Sequence, residues 1–183
     1  MTAPDPASSD PASLDPAVTD PELTDADRTH LQRCVDLAEE ALTAGDEPFG
    51  SLLVAADGQV LFADRDRVAG GDATQHPEFT IARWAAEHLS PAERAAATVY
   101  TSGEHCPMCA AAHCWVGLGR IVYASSTAQL TGWLAQWEVP AAPVAPLPVH
   151  SVAPRIEVAG PDAELSARVR ALQARLRGVG LPS

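Results

Sequence analysis

Two short motifs constrain this chain more than anything else in it: His76-Pro77-Glu78 and Cys106-Pro107-Met108-Cys109. Proline suits the first turn of a helix, where an N–H has no partner to lose, so each motif predicts a helix start. Cysteines three apart on a helical turn face one side, and the positive end of a helix favours thiolate over thiol. If the fold brings the two helix starts together, His76, Cys106 and Cys109 surround one point. Three protein ligands leave the fourth tetrahedral position of a zinc ion open, which is the count of a reactive site and not of a structural one. Glu78, two positions beyond the histidine, then approaches the open position without ligating. Two thiolates make zinc a weaker Lewis acid than three imidazoles do, so a water bound there needs a neighbouring base.

Other readings of the motifs exist. A structural site needs a fourth ligand, for which His105, His113 and Cys114 are the nearby candidates, although Cys114 falls off the ligand face of a helix. A Cys-x-x-Cys redox pair leaves the His-x-Glu motif unexplained. Cys34 and Cys114 read as core residues, and His113 as an exposed helix residue.

Residues 1–22 carry Asp-Pro every five residues, from Asp5-Pro6 to Asp20-Pro21, with Ala, Ser and Thr between. Such a segment has too little apolar surface to fold and is expected to be a disordered tail. Residues 23–183 alternate in pattern. Helices are expected at 24–44, 77–88, 107–116, 127–137 and 161–177, and strands at 51–56, 60–63, 98–101, 120–124 and 155–158. Asp57-Gly58 marks a hairpin between the first two strands. A hairpin followed by β-α-β units predicts an α/β fold, a mixed five-stranded sheet with helices on both faces. Arg168, Arg170, Arg175 and Arg177 read as a solvated basic face of the last helix.

The stretch 48–125 resembles the cytidine deaminase-like superfamily, whose zinc members carry H-x-E and P-C-x-x-C with a non-ligand glutamate. It is most similar there to bacterial guanine and cytosine deaminases. Glu47-Pro48-Phe49-Gly50 resembles that branch's Pro-Phe-Gly element, and Gly103-Glu104-His105-Cys106-Pro107-Met108-Cys109 its Glu-Pro-Cys-Pro-Met-Cys. The resemblance implies a three-layer α-β-α sandwich, catalytic Zn2+ on His76, Cys106 and Cys109, Glu78 as proton shuttle, and a homodimer. It also implies that residue 66 and, through its backbone carbonyl, Glu104 contact the substrate; Phe49 is expected to stack on the base or to pack in the core, and His105, adjacent to a ligand, to line the pocket or to support the ligands from behind.

Three positions depart from the family's pattern. Pro77 stands where alanine is usual, and His105 where proline is usual. Asp66, in Asp66-Arg67-Val68, stands where relatives place a substrate-binding asparagine. An ionised carboxylate only accepts hydrogen bonds, so Asp66 suits a ring that presents N–H donors, such as an aminotriazine or azapyrimidine.

The formal net charge is -12, with arginine supplying all twelve cationic side chains. An acidic body argues against a grip on nucleic acid and for a small free base as substrate. No apolar run reaches the roughly 18 residues of a membrane helix, and a cytoplasmic location is expected. The competing functions are an RNA-editing adenosine deaminase, which needs a basic rim around the pocket, and a non-catalytic zinc-bound scaffold, against which the intact Glu78 speaks.

Overall fold

The structure, a computed structural model, describes residues 22–180. The Asp-Pro repeat lies outside the described residues. Thr24 begins the first helix with a capping box: its hydroxyl accepts from the Asp27 N–H at 3.1 Å, and Asp27 Oδ2 accepts from the Thr24 N–H at 2.9 Å. The helix α1 (Asp25–Thr43) buries Leu31, Cys34, Val35 and Ala38 on one face. Strands β1 (Gly50–Val54) and β2 (Val60–Arg65) form the expected hairpin, with Gly58 at φ +88° in its turn. There follow α2 (Pro77–His88), α3 (Pro91–Ala96), β3 (Thr98–Gly103), α4 (Pro107–Val116), β4 (Ile121–Ser125), α5 (Thr127–Gln136), α6 (Val149–Val152), β5 (Val158–Ala159) and α7 (Ala163–Leu176).

The sheet order is β2-β1-β3-β4-β5. Strands β2, β1 and β3 pair antiparallel, and β3, β4 and β5 pair parallel. Alternation along each strand separates the two faces. Leu52, Val54, Tyr100 and Val122 pack against α1 and α7, while Leu53 and Val99 pack against Ile81, Ala82 and Ala85 of α2. Ile121, Tyr123 and Val158 meet Ala110 of α4 and Val149 of α6. The result is the mixed, five-stranded, three-layer α-β-α sandwich implied by the motifs. Helix α1 lies so close to β1 that a Cβ on Gly50 would collide with Leu37 Cβ and sit 2.5 Å from the Cys34 carbonyl oxygen. None of the described helices is long and apolar enough to cross a membrane.

Several sequence expectations need correction. Residues 91–96 form a helix that was not expected, although Ser90-Pro91-Ala92-Glu93 is a capping box with both of its hydrogen bonds made. The last strand is Val158–Ala159 and not 155–158, because pairing with β4 begins where Glu157 O accepts from the Ile121 N–H. His113, expected on the surface, is buried, with Nε2 2.8 Å from the Gly119 carbonyl oxygen. Cys114, expected in the core, is exposed. The arginines of α7 are not simply solvated: Arg168 pairs with Asp36 and Arg175 with Glu39, both on α1, and Arg170 lies over the Trp137 ring.

Asp27 joins three elements. Its Oδ1 accepts from the Tyr100 hydroxyl at 2.8 Å and from Arg120 at 2.9 Å, so α1 is tied to β3 and to the entry of β4. Burial alone raises this carboxyl's pKa, but the bonds from Thr24, Tyr100 and Arg120 outweigh it and hold the pKa below the ordinary value. Because the folded-state pKa is depressed, the stabilisation is present above the unfolded value and is lost as pH falls through the folded one. Asp27→Asn leaves the Arg120 charge without its buried partner and is expected to cost about 3 kcal/mol at pH 7. In urea denaturation this deficit should shrink below pH 4; a deficit independent of pH would remove the carboxylate charge from this account.

Candidate active site

The polar end of the site face begins in the sheet. On the side of β1 and β3 facing α2, Leu53 and Val99 give way to Ser51 and Thr101, which are register partners. Both hydroxyls are fully buried and meet the side chain of Glu78, in the first turn of α2. Glu78 Oε1 accepts from Ser51 Oγ at 2.7 Å and from Thr101 Oγ1 at 2.8 Å. These two residues escaped the sequence reading. The signal was there, since a serine and a threonine inside buried strands must find partners.

His76 is the N-cap of α2 and Cys106 the N-cap of α4, each followed by proline at the first helical position. Cys109 sits in the first turn of α4. The motifs therefore open two helices that pack together, as predicted. His76 Nδ1 lies 3.6 Å from Cys106 Sγ and 3.6 Å from Cys109 Sγ. Tetrahedral zinc with bonds of about 2.3 Å to sulfur and about 2.1 Å to nitrogen requires a sulfur–nitrogen separation of about 3.6 Å. The donor set fits zinc in both chemistry and spacing. Among the described residues it is the one group of three or more potential ligands that converges in this way.

The donors also polarise one another. The Cys106 thiol is pulled down to about 4, first by its bond with Cys109 and then by His76. His76 is raised to about 9 by its contact with Cys106. The neighbouring Cys106 and burial push Cys109 up.

The candidates for a fourth ligand are placed elsewhere. His105 is buried and turned inward, edge-on to His113 with ring centroids 5.2 Å apart. Burial and His113 hold its pKa well below the ordinary histidine value, so the ring is neutral. His113 is engaged with Gly119, and Cys114 is on the exposed side of α4. His105 thus packs against His113 and is not one of the three converging donors.

Asp66 is buried just past the end of β2. Its N–H donates to the Phe49 carbonyl at 3.0 Å, so the backbones of these two expected pocket residues are joined. One carboxylate oxygen accepts from the Val68 N–H at 3.0 Å, and the other is buried with no hydrogen-bond partner among the described residues. Burial pushes its pKa up to about 6, against the lowering effects of the Val68 bond and of His76. Phe49 is partly buried, and its ring covers Gly103, where a Cβ would lie 3.0 Å from ring carbon Cε1.

Glu104 spends both carboxylate oxygens on the backbone. One accepts from the Thr127 N–H of α5 and the other from the Val149 N–H of α6, each at 2.7 Å. Its side chain fastens both ends of residues 127–149 close in sequence to Cys106. The nearby arginines are matched by acids, Arg65 with Asp46 and Arg67 with Asp64. Trp133 packs on the core beside α1 and α7.

Comparison with known proteins agrees with this geometry. The chain is 36% identical over 99 residues to a guanine deaminase of Bacillus subtilis, covering 53% of this chain and 63% of that protein. It is 31% identical over 101 residues to a probable cytosine deaminase of Schizosaccharomyces pombe (55% and 61%). It is 34% identical over 100 residues to a tRNA-specific adenosine deaminase of Agrobacterium fabrum (52% and 64%). The matches thus span less than two thirds of each of these relatives. The guanine deaminase of Nitrosomonas europaea shares the fold, with a TM-score of 0.63 at 17% identity over 86% of this chain and 87% of that one. Residues 24–125 match the profile of the cytidine and deoxycytidylate deaminase zinc-binding region. With that match over more than half its length, the chain belongs to the cytidine and deoxycytidylate deaminase zinc-binding family.

Proposed function

We propose that this protein is a zinc-dependent hydrolytic deaminase of a free amino-substituted base, of guanine or cytosine type or an azapyrimidine or aminotriazine analogue. The observation that carries this reading is Glu78, held by two hydroxyls beside a three-donor zinc site and not itself a member of it. His76, Cys106 and Cys109 hold the metal, which when bound supplies a Lewis acid that eases the ionisation of water. Glu78 accepts the proton of the attacking water and delivers it to the ring nitrogen. It then serves the departing amine, so that a C–NH2 group and water become C=O and ammonia. Phe49 and Asp66 line the base. The free oxygen of Asp66 accepts from ring or exocyclic N–H groups, and the Glu104 carbonyl faces the leaving amine. Similarity to curated guanine and cytosine deaminases supports a free base. An RNA substrate is disfavoured because Arg65 and Arg67 are matched by acids. Trp115, 88% exposed on α4, supports a homodimer formed through that face. A cytoplasmic location fits this reading.

Ammonia release from guanine, cytosine and their aza and triazine analogues tests the activity directly. Glu78→Ala should lower it about 10³-fold with zinc content unchanged, and Cys106→Ser should lose the metal as well. If a zinc-loaded sample released no more ammonia from any base than Glu78→Ala, free-base deamination would be ruled out. Removal of zinc with a chelator should abolish turnover, and added Zn2+ should restore it.

Asp66 generates a separate prediction. Its folded-state pKa of about 6 exceeds the unfolded value, so its ionisation destabilises the fold increasingly above pH 4 and fully above pH 6. Asp66→Asn should therefore be more stable than the parent by roughly 2 kcal/mol at pH 7.5, with the gain fading near pH 4. Urea denaturation at both pH values measures this, and a less stable variant at pH 7.5 would contradict it. The same variant should shift preference within the panel of bases. For the dimer, Trp115→Glu should halve the mass measured by light scattering; a parent already monomeric would dismiss the interface.

A further inference from the structure

We propose that Thr101, seconded by Ser51, is a positioning residue for the proton transfer. It fixes Oε1 of Glu78 so that the other carboxylate oxygen alone moves the proton. The proposal rests on the deaminase reading for its kinetics and on the hydroxyl geometry for its structure.

Glu78 is buried, yet its carboxylate belongs to no ion pair among the described residues. Two hydroxyls on one oxygen take the place of a cation. They come from adjacent strands at register partners Ser51 and Thr101, so the strand pairing itself sets their spacing. The Ser51 and Thr101 oxygens are 3.0 Å apart, and with Oε1 they form a closed triangle of contacts. A carboxylate held this way cannot rotate about its last torsion without breaking both bonds. The hydroxyls therefore fix which oxygen the strands engage.

The second acceptor separates the two hydroxyls, Thr101 Oγ1 for Ser51 and the Gly103 carbonyl for Thr101. Thr101 has one hydroxyl hydrogen and two acceptors, Glu78 Oε1 at 2.8 Å and the Gly103 carbonyl oxygen at 2.9 Å. Its hydrogen can turn from one to the other while every heavy atom stays in place. Thr101 thus links Oε1 of Glu78 to the Gly103 carbonyl through a single oxygen. Gly103 ends the strand that leads to Cys106, so one hydroxyl holds the base in register with the ligand loop. Ser51 donates to Oε1, and its remaining neighbour is Thr101, which makes it the lesser contributor.

The test uses the full chain, zinc-loaded, as Thr101→Val, Thr101→Ser and Ser51→Ala. Thr101→Val, equal in shape but without a hydroxyl, should lower kcat about 30-fold on whichever base of the panel the parent deaminates. KM should stay within about threefold, and zinc content should remain one per chain. Thr101→Ser should recover most of kcat, and Ser51→Ala should fall between the two. Unchanged kcat in Thr101→Val, failure of Thr101→Ser to recover it, or a loss that follows zinc content or melting temperature would each overturn the proposal. Crystal structures of the variants give a readout independent of turnover. In Thr101→Val the Glu78 carboxylate should be rotated, while in Thr101→Ser it should not. A carboxylate unmoved in Thr101→Val would overturn the proposal even if no base proved to be a substrate. A parent inactive on the whole panel whose Thr101→Val carboxylate rotates would refute the deaminase reading and leave the positioning intact.

Discussion

The site depends on two helices starting side by side. Helices α2 and α4 begin with the same device, an extended capping residue followed by proline, and in both cases the capping residue is a candidate metal ligand. Their positive ends converge, which favours negative charge where the metal donors meet. The packing that keeps the helices together is remote from the chemistry: Ile81, Ala82 and Ala85 of α2 rest on Leu53 and Val99 of the sheet. An apolar contact one or two turns away thus sets a metal-binding geometry. On this view the parallel strands serve to deliver loops to one edge of the sheet, where open α/β sheets generally bind their ligands.

Charge is handled differently at the two buried acids that matter most. Asp27 is neutralised by Arg120 and bonded on both oxygens, so it acts as a fastening between α1, β3 and β4. Glu78 is given hydroxyls and no cation. On the proposed reaction Glu78 takes up and releases a proton, and a guanidinium beside it would favour the ionised form alone. Hydroxyls, able to donate or accept, are compatible with either state.

How much the sequence disclosed follows from how local each feature is. His76, Glu78, Cys106 and Cys109 were legible because spacing within one helical turn determines which side chains converge. The mixed sheet with helices on both faces was legible from the alternation of elements. Ser51 and Thr101 were not, since their meeting requires the β1–β3 register, which no local pattern reveals. His113 and Cys114 exchanged their expected roles for a reason of helix phase. With Cys109 turned inward, the residue four positions on follows it and the residue five positions on does not. Glu104 was expected to work through its carbonyl; its side chain proves to hold two helix starts that lie far away in sequence.

Gly103 and Phe49 form a matched pair, the ring occupying the space that a side chain on the glycine would need. The Pro-Phe-Gly element and the glycine before Glu104 are therefore one unit of shape, divided between two distant stretches of chain. Reshaping of this part of the chain would have to alter them together. Trimming Phe49 creates room that a residue larger than glycine at position 103 can fill, whereas enlarging position 103 alone pushes the ring out of place. The two positions should thus accept change as a pair far more readily than singly.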